Sequence, residues 1–137
     1  MPRLTPAEVS EHDSLVLMMA QYFKQSGYSD VRADIPGWVR PDGISWSGRP
    51  DAVFFPDVTC KDSHGTIIIL EAETRSTLED QHTREQFEIF RAHASSHNGR
   101  FEVVVPRICE GAESRQRILD IAKGWNIMLD NVYTPNP

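Results

Sequence analysis

The stretch Thr66-Ile67-Ile68-Ile69-Leu70-Glu71-Ala72-Glu73-Thr74 decides how this chain is read. Four consecutive aliphatic residues, three of them β-branched, describe a strand over 66–74 that is buried on both faces, which places it at the centre of a sheet. The run ends in two glutamates at i and i+2, which point to the same face of a strand. An ionised carboxylate beside a buried strand is costly without a partner. The same few residues therefore predict the middle of the fold and a place where charge is held against that cost.

Upstream, Thr5-Pro6-Ala7-Glu8 combines a capping threonine, a proline at the first helical position and a glutamate three residues after the cap, and Gly27 offers a stop. The spacing predicts a helix over 6–26. At 100° per residue, Val9, Leu15, Val16, Met19 and Phe23 share a stripe, and Glu8 and His12 fall inside it. Val31, Ala33 and Ile35 alternate with Arg32 and Asp34, a half-buried strand over 31–35 that ends at Pro36-Gly37. Residues 36–48 read as irregular, with Trp38, Trp46 and a Pro41-Asp42-Gly43 turn. A second strand is expected over 51–55, and 56–65 reads as turn residues linking it to the central strand.

Downstream, 78–97 is a polar helix with Phe87, Phe90 and Ala94 on one face, closed by Asn98-Gly99. A strand over 101–105 stops at Pro106, a helix over 113–125 carries Ile118, Ile121, Ala122 and Trp125, and 127–133 is a last strand. Residues 1–134 make one domain, with 135–137 a short tail. The order helix, three strands, helix, strand, helix, strand fits an α/β fold with a mixed central sheet flanked by helices.

Length and composition agree with that reading. The 137 residues are 39% apolar and 25% charged, which excludes collagen-like and wholly disordered classes. No apolar run approaches a membrane span, and the first residues lack an apolar signal region, so a cytoplasmic location away from membranes is expected. Cys60 and Cys109 form no C-x-x-C pair and read as two reduced thiols. The net charge of −6 opposes a purely electrostatic nucleic-acid binder. It does not oppose an enzyme whose site is built from cation-holding carboxylates, and the basic residues are eleven arginines against three lysines, a bias suited to bidentate phosphate contacts.

Asp51 opens the expected second strand after Pro50. If that strand pairs with the central one, Asp51 meets Glu71 and Glu73 at one place on the sheet. Three carboxylates repel unless protons or cations share them. Oxygen ligands without histidine or thiolate select hard ions, chiefly Mg²⁺, completed by substrate phosphates. That is the chemistry of metal-assisted phosphodiester hydrolysis.

Pro50-Asp51, nineteen residues, then Glu71-Ala72-Glu73 resembles the signature of the PD-(D/E)XK nuclease superfamily, which includes type II restriction enzymes, Holliday-junction resolvases and RecB-like exonucleases. The element order is similar over nearly the whole chain. The resemblance implies a restriction endonuclease-like core with Mg²⁺ or Mn²⁺ held by Asp51 and Glu71 and by the carbonyl of Ala72. It also implies that Glu8 is the acidic residue of the first helix and that Gln86 is the glutamine on the helix after the motif, with Phe90 four residues on in place of tyrosine. Glu73 departs from the pattern, standing where the family usually has lysine; a glutamate there would act as general base or ligate a second ion. Some restriction enzymes of the superfamily are similar in carrying Glu-x-Glu at this point.

Several of these residues have plainer readings. Glu8 also fills the glutamate position of a capping box, and His12 reads as an inward histidine satisfied by its surroundings. Arg75, Arg84 and Arg91 follow the motif and could track a phosphate backbone, or pair with Glu85 and Glu88. Among the histidines, His82, His93 and His97 show no ligand pattern that selects a metal. Trp38 and Trp46 suit base stacking, core packing or a dimer contact. The expectation is a metal-dependent nuclease acting on DNA phosphodiesters, with RNA left open, working as a homodimer or as a subunit of a larger complex. Its rivals are a catalytically degenerate nuclease-like binding or regulatory subunit, and an assembly subunit whose acidic groove mimics DNA.

Overall fold

In a computed structural model of the chain, the aliphatic run 67–70 forms the middle strand of a five-stranded sheet. Residues 6–46, 49–74, 77, 80–109 and 112–135 are described; at 6–9, 46, 49–52, 108–109 and 112 the description is of backbone placement alone. The elements are α1 (Pro6–Gln25), β1 (Ser29–Ala33), β2 (Ile44–Trp46), β3 (Arg49–Phe54), β4 (Val58–Lys61), β5 (Ile67–Ala72), α2 (Gln81–Ser96), β6 (Arg100–Val104), β7 (Ile108–Cys109), β8 (Ala112–Glu113), α3 (Ser114–Gly124) and β9 (Asn131–Tyr133).

The main sheet runs β1-β4-β5-β6-β9. Its first half is an antiparallel meander, β1 on β4 and β4 on β5, and its second half is parallel, β5 on β6 and β6 on β9. Parallel neighbours need crossover connections, and α2 and α3 lie on those two crossovers. Among the described residues the result is an α/β fold with three helices and a mixed sheet, as the element order predicts.

The sheet is covered on both faces. On one, Leu15, Val16, Met19 and Phe23 of α1 pack against Val58, Cys60, Ile68 and Leu70. On the other, Phe87, Phe90 and Ala94 of α2 and Ile118 and Ala122 of α3 pack against Ile69, Phe101 and Val103. Alternation along β5 sends Ile68 and Leu70 to the α1 side and Ile69 to the α2 side, which is why its sequence is uniformly aliphatic. Phe87 is fully buried with its ring edge-on to Phe101 at 5.1 Å between centroids; burying such a ring contributes about 1.5–3 kcal/mol.

Several expectations are corrected: residues 36–48, read as irregular, contain β2, and the last strand, expected over 127–133, is confined to Asn131–Tyr133. The strand carrying Asp51 does not pair with the central strand: β3 pairs with β2 in a separate hairpin, Ile44 opposite Phe54 and Ser45 opposite Val53. The partner of β5 is β4, which arises inside 56–65, with Val58 opposite Leu70 and Cys60 opposite Ile68. Val58-Thr59-Cys60-Lys61 is only four residues long and sits between Pro56-Asp57 and an Asp62-Ser63-His64-Gly65 turn, so turn residues outnumber it locally. That turn is held by Asp62, whose Oδ1 accepts the N–H groups of His64 and Thr66 at 2.9 Å, and by Gly65 at φ 79°. The helix expected from 78 begins at Gln81, where the side chain of Asp80 accepts the His82 N–H at 2.8 Å and caps it. Among the described residues, no helix is long and apolar enough to cross a membrane.

Candidate functional site

The β4–β5 hairpin brings two acids together at its open end. The Val58–Leu70 register sets the preceding residue, Asp57, opposite Glu71. The N–H of Asp57 donates to Glu71 Oε1 at 3.1 Å, and the N–H of Ala72 donates to Asp57 Oδ2 at 2.8 Å. Each carboxylate thus takes up a backbone donor of the opposite chain segment, continuing the ladder with side chains where the strands end. Glu71, Glu73 and Asp57 are 3%, 4% and 9% exposed, an unusual burial for three acids.

They line a cleft of about 280 Å³ between α1 and the N-terminal turns of α2. His12 enters from α1, Asp34 and Phe55 from the loops beside β1 and β3, and Thr83 and Gln86 from α2. The imidazole of His12 sits between two carboxylates, Nε2 at 3.3 Å from Asp57 Oδ2 and Nδ1 at 3.3 Å from Asp13 Oδ1. Glu73 lies just past β5; the Thr83 hydroxyl donates to the carbonyl of Thr77 at 2.7 Å and its oxygen lies 3.4 Å from Glu73 Oε2, tying the start of α2 to the end of β5. A larger hollow of about 520 Å³ beside Leu119, Ile127 and Met128 carries no such carboxylate pair.

The electrostatics follow from burial. Burial, then repulsion from Asp57 and Glu73, pushes the Glu71 carboxyl well above the usual range. Burial and the nearby Asp57 push Glu73 up to about 8, against hydrogen bonding with Thr77 and Thr83 and the attraction of His12. Burial opposes the charge on His12, but its hydrogen bond to Asp57 and the attraction of Asp57, with Asp13 and Glu73 adding, outweigh that and raise it to about 9. A proton on Glu73 and a cationic imidazole therefore offset the repulsion among the acids at neutral pH.

The structure gathers Glu71, Ala72, Glu73 and Gln86 around this one cleft. Asp51 lies on β3 and Glu8 on α1, and their side chains, like Arg75 as a whole, fall outside the described residues. Arg84 is exposed and pairs with Glu88 at 3.0 Å, one turn along α2. Arg91 is mostly buried, donating to Asp130 Oδ2 at 2.8 Å and to the Met128 carbonyl at 3.1 Å. Sequence reasoning missed Asp57, Thr77 and Thr83. The signal for Asp57 was a further Pro-Asp pair, Pro56-Asp57, masked by its reading as part of a link. The signal for His12 was its place inside the apolar stripe of α1.

The donor set suits a hard cation. Asp57 and Glu71 offer carboxylate oxygens, the type of donor that hard cations take, and Ala72 and the His12 imidazole line the same cleft. Among the described residues no group of three or more His, Cys, Asp or Glu side chains is arranged to hold a metal ion. Comparison with family models, with curated proteins and with solved structures finds no match to this chain.

Proposed function

We propose that the chain is a metal-dependent nuclease with a restriction endonuclease-like core, hydrolysing phosphodiester bonds, DNA before RNA, in the cleft at the end of β5. The observation that carries this is the fastening of Asp57, just before β4, to Glu71 of β5, two buried acids at the open end of one hairpin. Pro56-Asp57, the segment 58–70, then Glu71-Ala72-Glu73 supports the same PD-(D/E)XK resemblance with a shorter spacing, and Asp57 takes the ligand position expected for Asp51.

In this reading Asp57, Glu71 and the Ala72 carbonyl hold Mg²⁺ or Mn²⁺. The chemistry such an ion supplies when bound is neutralisation of phosphoryl charge and acidification of an attacking water. The chain's own groups do the rest. Glu71 ligates only as the carboxylate, the form that its burial beside Asp57 and Glu73 disfavours. Glu73, at about 8, sits near the working pH, where Oε2 can accept a proton from water or return one, so it fills by proton transfer the position the family gives to lysine. His12 holds Asp57 Oδ2 in place, and Gln86 offers an amide at the mouth.

Glu73 in place of lysine favours a second reading, a nuclease-like fold kept for binding. Titration calorimetry with Mn²⁺ and a cleavage panel of linear, branched and single-stranded DNA and of RNA separate the two. Wild type binding Mn²⁺ and cutting one substrate, with both lost in Glu71→Ala, is the expected result. Binding without cleavage of any substrate favours the second reading, and failure to bind the ion sinks the first. A domain this small has little surface for reading sequence, so a homodimer or a partner subunit is part of the proposal. Sedimentation equilibrium showing an active strict monomer removes that part.

A further inference from the structure

We infer that Arg40, laid flat on the Phe55 ring at the rim of the cleft, binds a phosphate of the substrate strand next to the one that would be cleaved in the cleft. This rests on the nuclease reading above. The guanidinium carbon of Arg40 lies 3.6 Å from the Phe55 ring centroid, a stacked contact, and Phe55 is itself a wall of the cleft. Arg40 Nε is 3.4 Å from Asp34 Oδ1, a second wall residue. The pair is long and half-exposed, at 58% and 40% of each side chain, so it orients the guanidinium more than it neutralises it. The face of the cation is covered by the ring and one edge is turned to Asp34. The Nη donors have no other ion-pair partner among the described residues, and they are the fork that suits a phosphate.

The segment that carries Arg40 is fixed to the site. The Ala33 N–H donates to the Val39 carbonyl and the Asp34 N–H to the carbonyl of Asp57, each at 2.9 Å, so the loop hangs from the same aspartate that opens the cleft. Arg32 Nη1 donates to Asp42 Oδ1 at 3.3 Å and closes the far side of the loop. At Gly43 an added Cβ would lie 2.4 Å from Val53 Cγ1 and 3.1 Å from the Phe55 ring, so the loop is seated on the β2–β3 hairpin without spare room. A cation held this way loses little freedom on binding. The described arginines that follow the motif, Arg84 and Arg91, are differently employed: Arg84 is paired with Glu88, and Arg91 is spent on Asp130 and the Met128 carbonyl. A polyanion approaching a cleft of three buried acids needs a cation on its path, and Arg40 stands there.

The test is fluorescence anisotropy of a labelled DNA duplex and of its single strand, in Ca²⁺ to suppress cleavage, over a series of salt concentrations. Wild type, Arg40→Ala, Arg40→Lys and Phe55→Leu are compared, with Mn²⁺ calorimetry on each. Arg40→Ala is expected to weaken binding about 10-fold and to lower the slope of log affinity against log salt by about 1, the loss of one phosphate contact, at unchanged Mn²⁺ affinity. Arg40→Lys keeps the slope and loses part of the affinity, and Phe55→Leu falls between. An Arg40→Ala slope equal to wild type overturns the inference and leaves the nuclease reading standing. Wild type that binds DNA but no Mn²⁺ sinks the nuclease reading, and a lowered Arg40→Ala slope then still supports the phosphate contact. Wild type that binds neither strand form at any salt overturns the inference together with the choice of DNA as substrate.

Discussion

The backbone N–H of Asp57 donates to Glu71 Oε1 at 3.1 Å, so the two acids at the open end of the β4–β5 hairpin are fastened to each other and not splayed toward water. Glu71 is 3% exposed, and the nearby Asp57 and Glu73 add their repulsion to the effect of that burial. Strongly perturbed carboxyls in a cleft are a feature that sites using the charge share with buried structural clusters.

Glu71→Gln tests this tension directly. Glutamine keeps the acceptor for the Asp57 N–H and removes the ionisable group, so the variant is expected to be more stable than wild type at alkaline pH by about 1–2 kcal/mol, in line with neutral replacements of buried charges. On the proposed reading the same variant is expected to lose the heat of Mn²⁺ binding shown by wild type. Urea titrations above neutral pH that show Glu71→Gln less stable than wild type contradict the account of strain at this residue.

Much of the fold was readable because period and punctuation agreed along the chain. The run Ile67-Ile68-Ile69-Leu70 identified the middle of the sheet, and Phe87, Phe90 and Ala94 identified the buried face of α2. What failed was pairing, which local signals do not carry. β4 is four residues long with turn residues on both sides, so nothing nearby said that it, and not the strand of Asp51, lies against β5. The site was half legible for the same reason. Glu71 and Glu73 stood out as charge at the end of an apolar run, whereas Asp57 belongs to the site only through the Val58–Leu70 register. His12 was visible as a polar residue on an apolar stripe, but its partner lies 45 residues away. Thr83 looks like an ordinary helix residue until Glu73 is placed beneath it.

Arg91 separates structure from recognition. It joins α2 to the segment before β9 through Asp130 Oδ2, the same oxygen that accepts the Phe101 N–H at 2.8 Å. Arg91→Ala is expected to destabilise the fold by about 1–3 kcal/mol, since it leaves a mostly buried carboxylate without its cation. The salt slope of DNA binding should stay at the wild-type value. A slope lowered by about 1 with unchanged stability would return Arg91 to a phosphate-contacting role.

Phe87→Ala removes the ring that bridges Phe101 and Trp125, at 5.1 and 5.9 Å between centroids, from a position with no exposure. The expected cost is about 3–5 kcal/mol, a transfer loss plus a cavity that the rigid sheet cannot close. Chemical denaturation should show the midpoint falling with the slope unchanged. A loss below about 1 kcal/mol would mean that α2 does not anchor the second face of the sheet as described.

The pH dependence of stability follows from the same cluster. Glu73 moves from 4.5 in the unfolded chain to about 8 in the fold, and His12 from 6.5 to about 9. Between 4.5 and 8 the native state keeps the Glu73 proton that the unfolded chain has released, and between 6.5 and 9 the same holds for His12. The native state therefore binds more protons than the unfolded chain across this range, and stability falls as pH rises. The contribution of His12 is complete below 6.5 and gone above 9. The fall is steepest from 6.5 to 8, where both groups act, at up to roughly 2 kcal/mol per pH unit. Melting temperature measured from about pH 6 to about pH 9 should drop continuously. Saturating Mn²⁺ should flatten the drop, because an ion held by Asp57 and Glu71 takes over the role of the protons it displaces. A melting temperature that is flat or rising over that range without metal would show that the cluster is not held by protons, and a drop that Mn²⁺ leaves unchanged would show that the ion binds elsewhere.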